Sequence, residues 1–193
     1  INSSLMKGIV FTEFLELVEE KFGIEMVDEI ITASNLESGG AYTAVGTYKF
    51  VEMINLLTAL SSRTQLSIDE LLYIYAQHFF TVIKSSYAAL LNTYSDPLEL
   101  LASIEDHIHV EVRKIYPDSQ LPTFKTIKRS ENTLVLDYHS SRAMYNFGLG
   151  LMHETFKHFG FEHKVTFEKI KEDGTHVRFF IEKGDDYKRS GII

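Results

Sequence analysis

The stretch from Asp96 to Arg142 reads DPLELLASIEDHIHVEVRKIYPDSQLPTFKTIKRSENTLVLDYHSSR. Its first part is helical. Asp96 precedes a proline at the first helical position, and Leu101, Ile104, Ile108, Val112 and Ile115 recur at helical spacing, predicting a helix from Pro97 to Tyr116. Pro117 and Pro122 end that pattern. Thr123 to Lys128 and Thr133 to Arg142 then alternate about Arg129-Ser130-Glu131-Asn132, predicting a hairpin. A helix run followed by paired strands is the mark of an α+β domain rather than a βαβ one.

Two constellations in this stretch carry chemistry. His107 and His109 flank the apolar stripe on opposite sides, each roughly a right angle away. Periodicity therefore does not choose between them. Residues two apart on a helix diverge, so the pair cannot chelate one ion, and no HExxH pattern supplies a zinc site. On a strand, Tyr138, Ser140 and Arg142 share one side. Two hydroxyls and a guanidinium in a row make a clamp for a carboxylate or phosphate. A lone boundary histidine and a solvated strand face are the bland alternatives. Ser140 lacks the GxSxG elbow of a serine nucleophile.

Outward from this stretch the chain is helical before and mixed after. Met6 to Phe22 carries a stripe of Ile9, Val10, Phe14, Leu17 and Val18, stopped by Gly23. Ile24 to Ala33 is a second helix, and Thr47 is placed to cap a third that runs to Leu60 and breaks at Ser61 to Thr64. Ser67 and Glu70 form a capping box for an aromatic helix holding Tyr73, Tyr75, Phe79 and Phe80. After the hairpin comes a helix from Tyr145 to Phe159, closed by Gly160, and a second hairpin from Lys164 to Glu182.

Composition narrows the function classes. The 193 residues are 45% hydrophobic and 24% charged, enough for a core in one domain. A net charge of −8 with no basic block disfavours nucleic acid or an anionic membrane as partner. No apolar run is long enough to span a membrane. With no cysteine, disulfides, thiolate metal sites and thiolate heme ligation are excluded, and a cytoplasmic location is expected. Residues 1–5 read as a cloning or processing remnant before Met6, and 184–193 as a polar tail.

Four features together resemble the heme nitric oxide/oxygen-binding (H-NOX) family, the sensor fold shared with soluble guanylate cyclase. They are Met6-Lys7-Gly8-Ile9-Val10, Ile108-His109-Val110-Glu111-Val112, Pro122 thirteen residues after His109, and Tyr138-x-Ser140-x-Arg142. The resemblance spans nearly the whole chain from Met6. It implies one domain over 6–183, with a distal helical lobe over about 6–65 and a proximal lobe over about 66–183. The proximal lobe would hold a long heme-ligand helix and an antiparallel sheet.

The resemblance also implies a heme b cofactor, with His109 as the iron ligand. Tyr138, Ser140 and Arg142 would hold the propionates, and Pro122 would press the porphyrin out of plane. Val10, Phe14, Phe79 and Phe147 would line the distal side. Oxygen-binding members carry a distal tyrosine five residues after the motif arginine, where this chain has Phe147. The implied function is therefore a sensor of nitric oxide and carbon monoxide, without enzymatic activity of its own. It would signal by loss of the iron–His109 bond to a histidine kinase or a cyclic-di-GMP enzyme in trans. An oxygen sensor, a heme carrier and a heme-free anion-binding module are the rivals, and Tyr75, His78 and Tyr145 are the side chains able to supply a distal hydrogen-bond donor.

Overall fold

The helical stripes and the turn residues between them set the N-terminal architecture. A computed structural model describes residues 4–187; residues 1–3 of the expected remnant and the tail from Lys188 onward lie outside the described residues. Helices α1 (Gly8–Phe22), α2 (Ile24–Ala33), α3 (Phe50–Thr64), α4 (Ile68–Ser86) and the single turn α5 (Ala88–Leu91) follow one another. Phe11, Phe14, Leu17 and Val18 turn inward from α1 and meet Met53, Leu56 and Leu57 of α3 and Tyr75 of α4. Gly23 ends α1 at φ 88°, a left-handed value that glycine adopts without a Cβ clash. The capping box forms as expected: the Glu70 amide donates to Ser67 Oγ (3.2 Å) and the Ser67 amide to Glu70 Oε2 (2.8 Å).

The structure corrects three boundaries. Leu5, grouped with the remnant, lies in β1 (Leu5–Lys7), which pairs antiparallel with β2 (Thr47–Lys49). Thr47 is thus a strand residue, and α3 begins at Phe50. Helix α3 also runs through Ser61 to Thr64, where the Ser62 and Thr64 hydroxyls bond back to the carbonyls of Ala59 (2.8 Å) and Leu60 (2.9 Å) instead of competing for the backbone. The break comes at Gln65, whose φ is 62°.

Helix α1 has no side-chain cap. Its first amides are satisfied by the loop after Tyr42, with Gly8 donating to Gly46 O (2.8 Å) and Ile9 to Ala44 O (2.9 Å). A Cβ on Gly8 would lie 1.8 Å from the Thr43 carbonyl oxygen, so only glycine admits this crossing.

The C-terminal half is a four-stranded antiparallel sheet covered by one helix. Strands β3 (Thr123–Arg129), β4 (Thr133–His139), β5 (Phe161–Lys169) and β6 (His176–Asp186) lie in the order β3-β4-β6-β5. The two hairpins are joined where β4 pairs with β6, Leu136 opposite Phe179. Strand β6 runs to Asp186, opposite Phe161, so the first residues of the expected tail belong to the sheet. Leu134, Leu136, Val177, Phe179 and Ile181 form the inner face against Met152 and Phe156 of α8 (Tyr145–Phe159). Helix α8 lies against α4 at glycine distance, since a Cβ on Gly150 would stand 2.5 Å from Ala76 Cβ. No described helix is long and apolar enough to cross a membrane.

Asp137 points the other way from β4 yet is 5% exposed. Its carboxylate accepts from Arg178 Nε (2.6 Å) and Nη2 (2.9 Å), and from His176 Nε2 (3.1 Å). Arg178 above all holds the Asp137 pKa below its usual value. A lowered folded-state pKa gives stability that is complete above the unfolded value of about 3.9 and is lost as pH falls through the folded one. Urea midpoints of wild type and Asp137→Asn should therefore differ at pH 7 and converge below about pH 4. A difference that stays constant with pH would contradict this coupling.

Candidate functional site

The expected continuous helix from Pro97 to Tyr116 is three pieces. Helix α6 (Pro97–Ala102) is capped by Asp96, whose side chain accepts from the amides of Leu98 (2.9 Å) and Glu99 (3.1 Å). A π turn (Ile104–Ile108) follows, then α7 (His109–Ile115). The Ser103 hydroxyl bonds back to Glu99 O (2.9 Å), and the Ile108 amide reaches Ser103 O (3.2 Å) across five residues. The extra residue in this turn re-aims everything after it. Ile115, expected in the stripe, is 57% exposed, whereas His109 is the buried residue of α7 at 7%.

Burial thus separates the two histidines. The ring of His107 is taken by Tyr94, whose hydroxyl meets Nδ1 at 2.5 Å. His109 Nδ1 faces Glu105 Oε2 at 3.3 Å, and no hydrogen-bond partner reaches its Nε2 among the described residues. Desolvation lowers the His109 pKa, with Glu105 opposing. A histidine below its usual pKa of about 6.5 is neutral at pH 7, and Nδ1–H held by a carboxylate leaves the Nε2 lone pair free for a metal.

The clamp residues also sit differently from expectation. Strand β4 ends at His139, so Ser140 and Arg142 lie in the following turn rather than on the strand. The Arg142 amide donates to Ser140 Oγ (3.2 Å), and Ala143 turns the chain at φ 52°. The three groups still converge. The Tyr138 phenol has its pKa pushed up by burial, with Ser140 and the Arg142 charge nearby opposing that rise. Arg142 donates to the carbonyls of Leu5 (3.2 Å) and Gln120, and makes no salt bridge to a carboxylate among the described residues. Desolvation lowers its pKa, the sign of a cation without an anion. A polar cavity of about 370 Å³ opens beside it, lined in part by Gln120, Ser140, Lys171 and Thr175.

Pro122 lies directly before β3, half-buried, two residues ahead of Phe124. The Phe124 ring lies 6.0 Å from that of His109 and 5.5 Å from that of Tyr138. The proline segment, the histidine and the clamp are therefore one neighbourhood.

A second neighbourhood is aromatic. Phe14, Phe79 and Phe147 gather round Tyr75, with ring centroids at 5.4, 5.7 and 5.2 Å from it. The three polar side chains singled out as possible donors are all engaged elsewhere. Tyr75, held protonated by burial, donates to Val10 O at 2.6 Å. His78 lies between Glu13 (3.3 Å) and Glu20 (3.5 Å). Tyr145 packs in the sheet-side core, its ring centroid 5.2 Å from that of Phe167 and 5.4 Å from the Lys169 ammonium.

Glu105 and Gln120 were not singled out from sequence. Glu105 could have been found from its four-residue spacing to His109; nothing local marks Gln120.

The sequence pattern of the Haem-NO-binding family matches residues 7–168. The chain belongs to that family, the H-NOX proteins. The unliganded Fe(II) H-NOX protein from K. algicida is 62% identical, with a TM-score of 0.92 over 94% of this chain and 98% of that one. The Fe(II)CO, IWP-051-bound H-NOX from Shewanella woodyi is 31% identical, with a TM-score of 0.79 over 94% of this chain and 96% of that one. At 23% identity, the Fe(II)NO H-NOX protein from S. oneidensis shares the fold, with a TM-score of 0.85 over 93% of this chain and all of that one. The soluble guanylate cyclase gcy-35 of Caenorhabditis elegans is 21% identical over 180 residues, 91% of this chain. The chain spans 26% of that relative's length. The α+β H-NOX fold expected from sequence is thus the fold observed. H-NOX domains are heme-binding gas-sensor domains and not catalysts.

Proposed function

We propose that this H-NOX chain senses nitric oxide, and binds carbon monoxide, at a ferrous heme b from which oxygen is excluded. His109 would hold the iron, Tyr138, Ser140 and Arg142 would take the propionates, and Pro122 and Val10 would contact the porphyrin. The donor set supports this fit: a buried imidazole whose Nε2 has no hydrogen-bond partner among the described residues, and a guanidinium bonded to carbonyls with no carboxylate partner among them. A ferrous heme held by these residues would supply the iron that binds a diatomic gas and whose bond to His109 the gas can weaken.

What the residues do follows from their environments. Oxygen needs a hydrogen-bond donor to stabilise the negative charge it acquires, whereas nitric oxide does not. Phe14, Phe79 and Phe147 supply none. The observation that carries the reading is that the Tyr75 hydroxyl donates to Val10 O, His78 lies between two carboxylates, and Tyr145 packs in the other core cluster.

Loss of a bond between His109 and iron would free α7, and would be felt next at the Pro122–Phe124 segment beside it. The described residues form two core clusters, one built on α1, α2 and α3 that also takes Leu71, Leu72 and Tyr75 of α4, and one on the sheet with Ile83 of α4 packed against it. That arrangement supports a shift of one lobe against the other as the two-state element. A histidine kinase or cyclic-di-GMP enzyme in the cytoplasm reads it in trans.

The test is gas binding by the ferrous protein and by Tyr75→Phe. Both are expected to bind carbon monoxide and to give no stable oxygen complex. Oxygen binding that is present in the wild type and lost in Tyr75→Phe would show that this hydroxyl is a donor, and would end the exclusion argument.

A further inference from the structure

Glu105 is where three elements meet. Its Oε2 accepts from the Phe124 amide at 3.1 Å and lies 3.3 Å from His109 Nδ1, while Arg113 Nη2 stands 3.7 Å from Oε1. The first contact is long-range, joining the π turn to β3 nineteen residues on. Phe124 in turn faces Tyr138 across the β3–β4 ladder. One carboxylate thus touches the imidazole, the strand that follows Pro122, and, through Phe124, the clamp tyrosine. The π turn makes this possible, because its wider winding carries Glu105 to β3 while keeping it beside the next turn's ring.

We propose that Glu105 is a positioning residue that sets the strength of the proximal bond and couples its breaking to β3. The inference rests on the reading of His109 as the iron ligand. A carboxylate accepting Nδ1–H pushes electron density toward Nε2 and makes it a stronger donor to a metal. The Phe124 amide and Arg113 draw on the same carboxylate and so weaken that push. The bond is thereby held below the strength that an undivided carboxylate would give, and remains breakable by a gas on the opposite side. As His109 swings away, Glu105 loses the imidazole and keeps Phe124, so ligand release is felt at the start of β3. The i,i+4 contact alone would be an ordinary helix pair; the second bond to β3 makes it more.

The experiment is resonance Raman spectroscopy of the ferrous, gas-free holoprotein, reading the iron–histidine stretch. It is paired with stopped-flow measurement of proximal-bond loss after nitric oxide is added. Glu105→Gln keeps an acceptor for the Phe124 amide and is nearly isosteric, so the fold is retained. It is expected to lower the stretching frequency and to speed proximal release by about tenfold or more. Arg113→Ala, at an exposed position, leaves the carboxylate less divided and is expected to shift the frequency upward. A purely structural role would not give shifts of opposite sign.

His109→Gly fixes the assignment of the band. If the band vanishes in that variant but stands unmoved in Glu105→Gln, Glu105 does not tune the bond and the inference falls alone. If the band survives His109→Gly, the ligand assignment falls and takes the inference with it.

Discussion

His109→Gly is expected to abolish proximal ligation of the heme and to restore it when imidazole is added. The side chain removed is buried, and its ring lies between Glu105 and Phe124, so the change leaves an imidazole-sized space with an acceptor already in place for an N–H group. Free imidazole can enter that space and present its other nitrogen to iron without being tethered to α7. The variant then separates two roles that the wild type joins. Gas binding should return with imidazole, while the response of α7 should not, because nothing connects the ligand to the helix. A glycine in this short helix costs about 1 kcal/mol relative to alanine, too little to unfold the domain. Native ligation retained without imidazole would show that another residue holds the iron, His107 being the nearest candidate.

Phe147→Tyr is expected to give the protein measurable oxygen affinity. Phe147 is half-buried, its ring centroid 5.2 Å from Tyr75 and 5.6 Å from Phe79. A hydroxyl added to that ring enters the aromatic cluster without a built-in partner, since Tyr75 already donates to Val10. A net hydrogen bond is worth about 0.5–1.5 kcal/mol, roughly twofold to tenfold in affinity, and more where the acceptor is charged and dry. The carbon monoxide affinity should change less, because that ligand gathers less negative charge. An oxygen affinity equal to that of wild type would mean that position 147 does not face the gas.

The parts of this fold that were legible in the sequence are those written in local chemistry. Gly23 and Gly160 stop their helices, Ser67 and Glu70 start one, and helix α8 matches its expected bounds at both ends. The two hairpins were visible as alternation about polar turns. What escaped was non-local or stored in the backbone. The β1–β2 pair joins two three-residue strands whose partners are some forty positions apart, too short to show a period. The caps of α1 come from loop carbonyls, which carry no side-chain signature.

The π turn was hidden because Ile104, Ile108, Val112 and Ile115 satisfy a regular helical stripe on paper, while the chain spends one extra residue there. That one residue is why periodicity left His107 and His109 undivided, and why burial divides them. The trio Tyr138, Ser140 and Arg142 was singled out through a strand geometry that ends at His139, so the strand period does not reach Ser140 and Arg142. The engagement of Tyr75, His78 and Tyr145 could not be read at all, since each partner lies on another element.

The most direct test of the central claim is the absorption spectrum of the reduced holoprotein in argon, then in air, then with nitric oxide. The account predicts a five-coordinate ferrous spectrum unchanged by brief air, converting with nitric oxide to a five-coordinate form in which the proximal histidine has been lost. A stable oxygen-bound spectrum in air, or a nitric oxide form that keeps six ligands, would contradict it.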